Sequence, residues 1–547
     1  MSLCPAGGQA DSPVVPQIKK ERGNNMKKIL AILLVLCFAL SLLSGCGGDT
    51  KKPAADSGKK KTFIFGDTTF NAENEEPNID PHYAYSGWPC IRYGVGETLM
   101  KIADDGTLQP WLAKSVVNVN ETTWEIVIKD AVRFSNGKKC DAAAVKACFE
   151  HLIKVHERAA GNLKIASMKA DGQKLTIVTS EPNPILMNYL SEAYGCIIDM
   201  EVGIPKNGCV VGTGPFVATE VVTDNHVKLV KNANYWDGKV KVDEVTVRTI
   251  SNGDTLAMAL QSGEINAAYG MAYASYPLFE NDKFKFTSIQ TSRCFWGMVN
   301  FHKENPGYAI MSDPAVRKAI AMGINKKGFV DVLLKGYGYT ATGAFPDSFA
   351  FGKGVNTVSY DPAQAKKILQ DAGWVDTDGD GIREKNGVKL SIRWLTYPSR
   401  QELPLLAESA QATLKDIGID VQINNTKNHN KVRKDPKAWD IWVSANVNAG
   451  LGDPQNFFDT YCLDSSVKNS GGHHSDRLEK LAVQLRGTFD PAERARIAVQ
   501  MQQELLDDNS YIFCSFLRMS MIMQSKVSGL TAHTCDFYEL TKDLDIN

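Results

Sequence analysis

The feature that most constrains this chain is a short apolar stretch near its N-terminus, from Met26 to Cys46. Two lysines precede the apolar run 29–43, and small residues separate that run from Cys46. A membrane-spanning helix needs about 20 apolar residues, so this run is too short to cross a bilayer. The order of charged, apolar and small residues is typical of a secretory signal peptide. The chain that follows is therefore expected to fold in water, outside the cytoplasm.

The sequence LSGC at residues 43–46 resembles the lipobox of bacterial lipoproteins. This resemblance implies cleavage before Cys46 and attachment of a lipid to its sulfur; the alternative is a plain secretory signal with an incidental cysteine. Residues 26–45 are thus predicted to be a lipoprotein signal peptide, and the mature protein to be anchored by lipid on the extracytoplasmic face of the cell membrane. Residues 1–25 have no apolar periodicity and precede a second start at Met26, which favours a misassigned start codon.

Length and composition indicate a large soluble protein with more than one lobe. Single hydrophobic cores stop growing near ~250–300 residues, and the predicted mature chain is much longer. Apolar residues make up 43% and charged residues 22%, as in an ordinary soluble protein. The net charge of −1 gives no sign of a nucleic-acid partner. Residues 46–61 are rich in Gly, Lys, Pro and Ser and are predicted to be a flexible tether.

The cysteines do not suggest a metal site. Those that follow Cys46 are scattered and form no CxxC pair, which makes a zinc site improbable. Most have apolar neighbours, so they are expected to lie in the core. They are Cys90, Cys140, Cys148, Cys196, Cys209, Cys294, Cys462, Cys514 and Cys535.

Strand and helix patterns alternate through the chain. TFIFGD at residues 62–67 and TWEIVIKD at 123–130 have the apolar alternation of strands. Asn136-Gly137 is a turn signal. Asp141 is an N-cap candidate, and apolar residues at helical spacing follow it; these are Val145, Cys148, Phe149 and Leu152.

Aspartates before proline mark two later helix starts. Asp313-Pro314 and Asp361-Pro362 place a capping carboxylate before a residue whose φ angle suits the first helical turn. Asp490 is predicted to cap a late helix, with Glu493 completing a capping box. Because strands and helices alternate, the fold class is predicted to be α/β.

Several of these motifs occur together in a known order. PWLAKS at 110–115, FSNG at 134–137 and GTGPF at 212–216 are followed by NANYW at 232–236 and GDPQNFF at 452–458. The set resembles the bacterial extracellular solute-binding proteins of family 5, the substrate-binding lipoproteins of dipeptide, oligopeptide and nickel ABC importers. The resemblance covers roughly residues 62–540.

This resemblance implies a two-lobe periplasmic-binding-protein fold of type II, with a hinge and a ligand cleft between the lobes. Lobe I would comprise residues 62–290 and 518–547, and lobe II residues 300–510. The implied function is to capture a short peptide or a nickel-type metal chelate and to deliver it to the permease and ATPase subunits of an importer. No resident cofactor is required; nickel or another chelated metal would be cargo.

Two alternatives from other classes remain open at this point. A sensory lipoprotein that presents a bound ligand to a receptor would share the fold and the cleft. A hydrolase would need a nucleophile and a base, but no such motif is present. The chain is therefore not expected to be an enzyme.

The candidate ligand-binding residues lie in four regions, of which the first three carry aromatic, arginine and asparagine side chains. Tyr85 and Trp88 belong to an aromatic loop that can be either packing or a cavity wall. Arg158 follows the Asp141 helix and aligns with an arginine that, in nickel-type relatives, meets carboxylates of the chelate; the alternative is a surface arginine. Asn446 and Asn448 precede the Asp-Pro motif, where nickel-type relatives have a tryptophan.

His473 and His474 are candidate metal ligands on a loop after the Asp-Pro motif, because neutral imidazole binds nickel or copper well. The alternative is a pair of polar loop residues.

Two features of related proteins are missing from this sequence. Gly450 stands where dipeptide-type relatives have the aspartate that pairs with the peptide ammonium, and no second arginine occurs near residues 191–196.

Two further clusters are given structural interpretations. The DTDGDG sequence at 376–381 matches the first half of an EF-hand loop, but Gly387 stands at the twelfth position, so a polar turn is favoured. His151 and His156 sit with Glu150 and Glu157 around one helix, and they are predicted to form a solvated face.

Overall fold

The computed structural model describes residues 60–70, 78–83 and 87–547. The predicted signal peptide, Cys46, nearly all of the predicted tether and Tyr85 lie outside these residues. Within the described ranges, no helix has the length and apolarity required to cross a bilayer.

Twenty-one strands occur in the described residues. In chain order they are β1 (Thr62–Asp67), β2 (Met100–Ile102), β3 (Leu108–Pro110), β4 (Ala113–Asn120), β5 (Thr123–Ile128), β6 (Ile165–Asp171), β7 (Lys174–Thr179), β8 (Phe216–Val222), β9 (His226–Lys231), β10 (Glu244–Thr249), β11 (Ala267–Tyr269), β12 (Phe284–Val299), β13 (Gly338–Thr340), β14 (Glu384–Lys385), β15 (Val388–Lys389), β16 (Ser391–Thr396), β17 (Asp420–Asn425), β18 (Ile441–Val447), β19 (Tyr511–Gln524), β20 (Val527–Ser528) and β21 (Asp545–Ile546).

The same part of the chain holds fourteen α-helices. They are α1 (Trp88–Arg92), α2 (Ala142–Val155), α3 (Ala159–Leu163), α4 (Leu186–Tyr189), α5 (Gly253–Ser262), α6 (Tyr308–Met311), α7 (Pro314–Gly323), α8 (Lys326–Gly328), α9 (Pro362–Asp371), α10 (Glu402–Lys415), α11 (His429–Arg433), α12 (Gln455–Tyr461), α13 (Asp476–Gly487) and α14 (Pro491–Asp507). Short 3₁₀ segments add Ala193–Gly195, Tyr273–Phe279 and Ala350–Gly352.

An eleven-stranded mixed sheet is the framework of the fold. Its order is β17-β16-β18-β12-β19-β11-β1-β10-β9-β8, and β13 also pairs with β19. β16 is parallel to both β17 and β18, and β1 is parallel to both β10 and β11. The predicted α/β class is thus confirmed.

Two long antiparallel strands, β12 and β19, run through the middle of this sheet. Their pairing extends from Phe284 opposite Gln524 to Met298 opposite Tyr511. The register shifts between Gln290 and Cys294, as in a β-bulge. Towards one end of this pair, β19 also pairs with β11. Towards the other end, β12 pairs with β18 and β19 pairs with β13.

A separate antiparallel sheet has the order β4-β5-β7-β6. The predicted alternation in β5 is confirmed, because its side chains are alternately buried and half-buried. Helix α2 buries the four predicted residues Val145, Cys148, Phe149 and Leu152.

The buried side chains form three clusters. The first draws mainly on residues 63–247 and 519–544. The second combines residues 250–279 with residues 295–443 and part of β19, and the third lies mainly within residues 294–516. Residues 250–279 were assigned to lobe I, yet they pack in a cluster with residues assigned to lobe II. The lobe boundaries stay a prediction.

The predicted helix caps are confirmed, with one difference. Asp141, Asp313, Asp361 and Asp490 each accept a hydrogen bond from a backbone amide in the first turn that follows. The carboxylate of Glu493, however, pairs with Arg496. The capping box is therefore only half formed, because an exposed arginine three residues later competes for the glutamate.

Candidate functional site

Two cavities adjoin near the carboxyl end of β18. The larger has a volume of about 700 Å³ and the smaller about 400 Å³. Both are in the size range of small-ligand pockets. The residues that line both are Arg158, Glu192, Val447, Cys535 and Phe537.

The larger cavity has walls from distant parts of the chain. One wall is built by residues 158–192, which include α3 and α4. The other is built by residues 446–468, which include the end of β18, the loop that follows and α12. A ligand bound here would contact both segments at once.

Asn446 and Asn448 lie on this second wall. The Asn446 amide donates to Ser444 Oγ at 3.0 Å, and its oxygen accepts from the Tyr461 hydroxyl at 3.1 Å. The Asn448 amide donates to the Ala344 carbonyl at 2.9 Å. Asn448 Oδ1 is buried and accepts no hydrogen bond from the described residues. It is thus available to a donor on a ligand.

Arg158 lies where the two cavities meet, at the N-terminus of α3. Its Nη1 and Nη2 donate to the two carboxylate oxygens of Glu192, at 3.2 and 2.9 Å. Glu192 falls in the segment where a second arginine was missing from the sequence. Arg158 therefore contacts the cavities as half of an ion pair.

The smaller cavity is lined by Trp88 and by four arginines, Arg92, Arg158, Arg293 and Arg400. The Arg92 guanidinium carbon lies 3.9 Å from the centroid of a Trp88 ring. This is the geometry of a cation–π contact, so the Trp88 ring and the Arg92 guanidinium form this part of the wall together.

Arg92 and Arg293 belong to a buried charge cluster that also contains Asp67, Asp536 and Glu539. Arg293 Nη2 lies 2.6 Å from Asp536 Oδ2, and Arg92 Nε lies 3.5 Å from Glu539 Oε1. Arg92 Nη1 lies 3.6 Å from Asp67 Oδ2. Burial raises the pKa of Glu539 well above its usual range, because the charged form loses its hydration.

Arg400 differs from the other three arginines of this cavity. It follows β16 on a loop and is half-buried. No carboxylate in the described ranges lies within ion-pair distance of its guanidinium. The smaller cavity therefore presents one positive charge that the described wall does not neutralise.

The structure does not bring His473 or His474 to either cavity. His473 is buried; its Nε2 lies 3.5 Å from Asp508 and its ring packs near Phe301. His474 is exposed and its Nδ1 lies 2.8 Å from Asp464 Oδ2. Each imidazole thus has a carboxylate as its neighbour, Asp508 for His473 and Asp464 for His474.

Comparison with known proteins gives the family. Residues 107–469 match the bacterial extracellular solute-binding proteins, family 5 (middle). The chain belongs to this family. The match confirms the resemblance carried by the motifs between PWLAKS and GDPQNFF.

Individual relatives resemble this solute-binding protein over nearly their whole length. The nickel-binding protein NikA of Staphylococcus aureus is 27% identical over 486 residues, 88% of this chain and 92% of NikA. The oligopeptide-binding protein AppA of Bacillus subtilis is 24% identical over 538 residues, 94% of this chain and 97% of AppA. A crystal structure described as a nickel ABC transporter from Bacillus halodurans matches with a TM-score of 0.76 at 26% identity, covering 89% of this chain and 100% of that one.

These likenesses confirm the predicted type II periplasmic-binding fold and the predicted class, a substrate-binding protein of an ABC importer. The family consists of extracellular solute-binding proteins that work with ABC transporter components.

Sequence reasoning placed part of the candidate site and missed the rest. Trp88, Arg158, Asn446 and Asn448 all line the cavities. Glu192 and Arg400 were missed. Arg400 had a usable signal, because it follows the carboxyl end of a parallel strand, where ligands bind in open α/β sheets.

The DTDGDG loop lies apart from these cavities. Carboxylate oxygens of Asp376, Asp378 and Glu384 lie within 4.8 Å of one another. The loop leads into the short hairpin of β14 and β15, so it lacks the second helix of an EF-hand. The favoured prediction, a polar turn, agrees with this arrangement.

The predicted solvated face of α2 is wrong for its histidines. His156 is buried and His151 is half-buried, although Glu150 and Glu157 are exposed. The loop that carries His82 packs over this face: His82 Nδ1 lies 3.0 Å from His151 Nδ1, and its Nε2 lies 3.7 Å from Cys148 Sγ. Charge spacing along the helix could not reveal a covering loop from another part of the chain.

His82 gives a prediction for acid stability. Burial, followed by the charges of His151 and His156, lowers the pKa of His82 from 6.5 to about 3. Below pH 6.5 the unfolded chain binds a proton that the folded protein does not bind. His82 therefore costs no stability above pH 6.5. Below it, the free energy of unfolding falls by roughly 1.4 kcal/mol for each pH unit, until the pH reaches the pKa of His82 in the folded protein.

Urea unfolding at about pH 7 and about pH 5 checks this expectation. The wild type should lose roughly 2 kcal/mol more than His82→Asn between these two conditions. Equal losses for the two proteins would contradict a neutral, buried His82.

Proposed function

We propose that this solute-binding protein captures a small carboxylate-bearing ligand, either a short peptide or a nickel-type metal chelate, in the two adjoining cavities. It delivers this ligand to the permease and ATPase subunits of an importer. Capture involves closure of two lobes about a hinge, with contacts to both cavity walls that exist together only in the closed form. The proposed ligand-binding residues are Trp88, Arg158, Asn446, Asn448 and Arg400, with Tyr85 as a further wall residue.

The observation that carries the proposal is the guanidinium of Arg400 in the smaller cavity, which no carboxylate of the described residues neutralises. A guanidinium binds a carboxylate through two parallel hydrogen bonds, which makes it well suited to this group. Peptides and amino-acid chelates both carry carboxylates. The ion pair of Arg158 and Glu192, between the cavities, supplies both a donor and an acceptor to the middle of such a ligand.

Two details favour a chelate over a standard dipeptide. Gly450 lines the larger cavity at the position of the ammonium-binding aspartate of dipeptide-type relatives, so this anchor is missing. In the described part of the chain, neither cavity is lined by a histidine. A transported metal would therefore arrive with its donor atoms supplied by the chelator, and we do not include His473 or His474 in the site.

The proposal includes the location of the protein. Export through the signal peptide at residues 26–45 and lipid attachment at Cys46 would hold the binding domain beside the importer, on the extracytoplasmic face of the membrane. The role is binding and delivery, without catalysis of a reaction.

Native mass spectrometry of residues 47–547, purified without chelators or a histidine tag, tests the proposal. A small organic mass lost together with a metal supports the chelate. A heterogeneous series of peptide masses without metal supports a peptide importer. Failure to retain any small molecule after exposure to peptide and nickel–amino acid mixtures would overturn ligand capture.

Arg400→Met provides a residue-level prediction. Loss of a charge-assisted, two-point contact should weaken binding of the retained ligand by about 10- to 100-fold in calorimetry. Arg477→Met is the matched control, because Arg477 is exposed, pairs with Glu504 and lines neither cavity. Equal affinities of the two variants would contradict the role of Arg400.

A further inference from the structure

Arg433 is an exception among the buried arginines. Four of the five buried arginines in the described residues pair with a carboxylate; these are Arg92, Arg293, Arg317 and Arg494. Arg433, at the end of α11, is only 9% exposed, and no carboxylate in the described ranges lies within ion-pair distance. A buried charge without a counter-charge is strongly unfavourable, so it calls for an explanation.

Aromatic rings surround this guanidinium. The Arg433 guanidinium carbon lies 4.3 Å from the centroid of a Trp442 ring. The His429 ring stacks on Tyr397 at 4.0 Å and lies parallel to Trp442 at 6.5 Å. We call the group formed by Tyr397, His429, Arg433, Trp442 and Tyr461 the arginine recess.

The recess has nitrogens without hydrogen-bond partners; those of Arg433 and Trp442 are donors, whereas the role of His429 Nδ1 depends on the tautomer. Four buried nitrogens have no partner among the described residues: Nε and Nη1 of Arg433, Nε1 of Trp442 and Nδ1 of His429. The two phenol groups are already engaged. The Tyr461 hydroxyl donates to Asn446 Oδ1, and the Tyr397 hydroxyl accepts from the Ala445 amide at 3.2 Å.

Burial also acts on the charges of the recess. The pKa of Arg433 is lowered, chiefly because burial removes hydration from the charged form. The pKa of His429 falls to about 4 through its own burial and then through the nearby Arg433 charge. Both pKa values are therefore lowered by burial, and no negative charge among the described residues offsets this effect.

The recess lies directly behind the wall of the larger cavity. Tyr461 belongs to both. Ser444 joins them as well, since its Oγ lies 3.0 Å from the Asn446 amide and 3.3 Å from the Tyr397 hydroxyl. The recess and the larger cavity are therefore joined through Tyr461, Ser444 and Asn446.

We propose that the arginine recess binds a carboxylate of the transported ligand, with Arg433 as its counter-charge and buried N–H groups as hydrogen-bond donors. This inference rests on the proposed capture of a ligand in the cavities. Together with Arg400 on the wall of the smaller cavity, it defines the cargo as a molecule with at least two anionic groups.

Thermal unfolding in simple anions tests the recess separately from the cargo. The probes are acetate and succinate, with acetamide as the neutral counterpart of acetate, and chloride and sulfate as inorganic anions. Succinate and acetate should raise the unfolding temperature of the wild type, and acetamide should not. Measured in the Arg400→Met background, so that Arg400 does not contribute, the shift should disappear on adding Arg433→Met and persist on adding Arg477→Met. Stabilisation by chloride or sulfate alone would overturn a carboxylate site.

A second readout separates a binding role from a structural one. Because Arg433 is an uncompensated buried charge without ligand, ligand-free Arg433→Met should be as stable as the wild type or more stable. Its affinity for the cargo found by mass spectrometry should fall about 10- to 100-fold. A large loss of ligand-free stability, or unchanged affinity, would overturn the inference. If acetate and succinate raise the unfolding temperature as expected but no cargo is found, the result counts against the proposed function and not against the recess.

Discussion

Asp536→Asn is expected to lower the free energy of unfolding by about 3–5 kcal/mol, because it leaves a buried arginine without its counter-charge. Asp536 is buried and its Oδ2 lies 2.6 Å from Arg293 Nη2. Its backbone carbonyl also accepts a hydrogen bond from Arg92 Nε at 2.9 Å. The asparagine side chain keeps the shape and removes only the charge.

The size of this effect follows from the charge balance of the cluster. Arg92 and Arg293 are two positive charges, and Asp67 and Asp536 are two negative ones. The raised pKa of Glu539 keeps the fifth group protonated and neutral over part of the pH range. The cluster is balanced in that state, so removal of either aspartate charge leaves a net positive charge inside the protein.

Glu539→Gln is the matched control, because it replaces a protonated acid with a neutral group of the same shape. We expect its free energy of unfolding, measured by urea titration near pH 4.5, to stay within about 1 kcal/mol of the wild type. An acid whose folded pKa is raised loses stabilisation as the pH rises above its ordinary value of 4.5. The wild type should therefore lose stability with rising pH relative to Glu539→Gln. A greater loss in Glu539→Gln than in Asp536→Asn would contradict this charge assignment.

Arg494→Met is expected to cost about 3–5 kcal/mol of folding free energy, again because a buried charge loses its partner. Arg494 contacts both oxygens of Asp453, at 2.9 and 2.7 Å. Its Nη1 donates to the carbonyls of Leu485 and Thr488. Asp453 in turn accepts from the Gln455 amide at 2.8 Å. One arginine thus fixes the Asp-Pro motif and the start of α12.

This placement assigns the Asp-Pro aspartate a structural role. Since α12 carries Gln455, Phe457 and Tyr461 on the wall of the larger cavity, Arg494→Met should also weaken ligand binding. Arg496→Met is the control on the same helix: Arg496 and its partner Glu493 are exposed, so little change in the urea midpoint is expected. Similar midpoints for the two variants would show that the Asp453 pair does not hold this wall.

Features governed by local chemistry could be predicted from the sequence. Asp141, Asp313 and Asp361 cap helices because a carboxylate and the backbone amides that follow it are close in the chain. The strand β5 followed from the alternation of its side chains. The family motifs added the fold and the class of function.

The remaining features depend on contacts between distant segments. Arg433 lies in the sequence HNKVRK, which has the composition of a surface, and only the packing of α11 against Trp442 buries it. His473 carried a plausible metal-ligand pattern, yet Asp508, far along the chain, lies beside its imidazole. Tyr235 and Trp236 were recognised as part of a motif. Their side chains each donate a hydrogen bond of 2.7 Å to buried Glu97, a contact that the sequence alone does not reveal.

The path of β19 through the sheet also affects how the protein is made. The cluster around residues 63–247 is completed by residues 519–544, which are synthesised after them. Only after these residues have been made can β11 pair with β19 and Lys61 contact Asp545. Contacts between such distant residues form slowly. The first half of the chain therefore lacks part of its core, and the partner of β11, until β19 has been made and has docked.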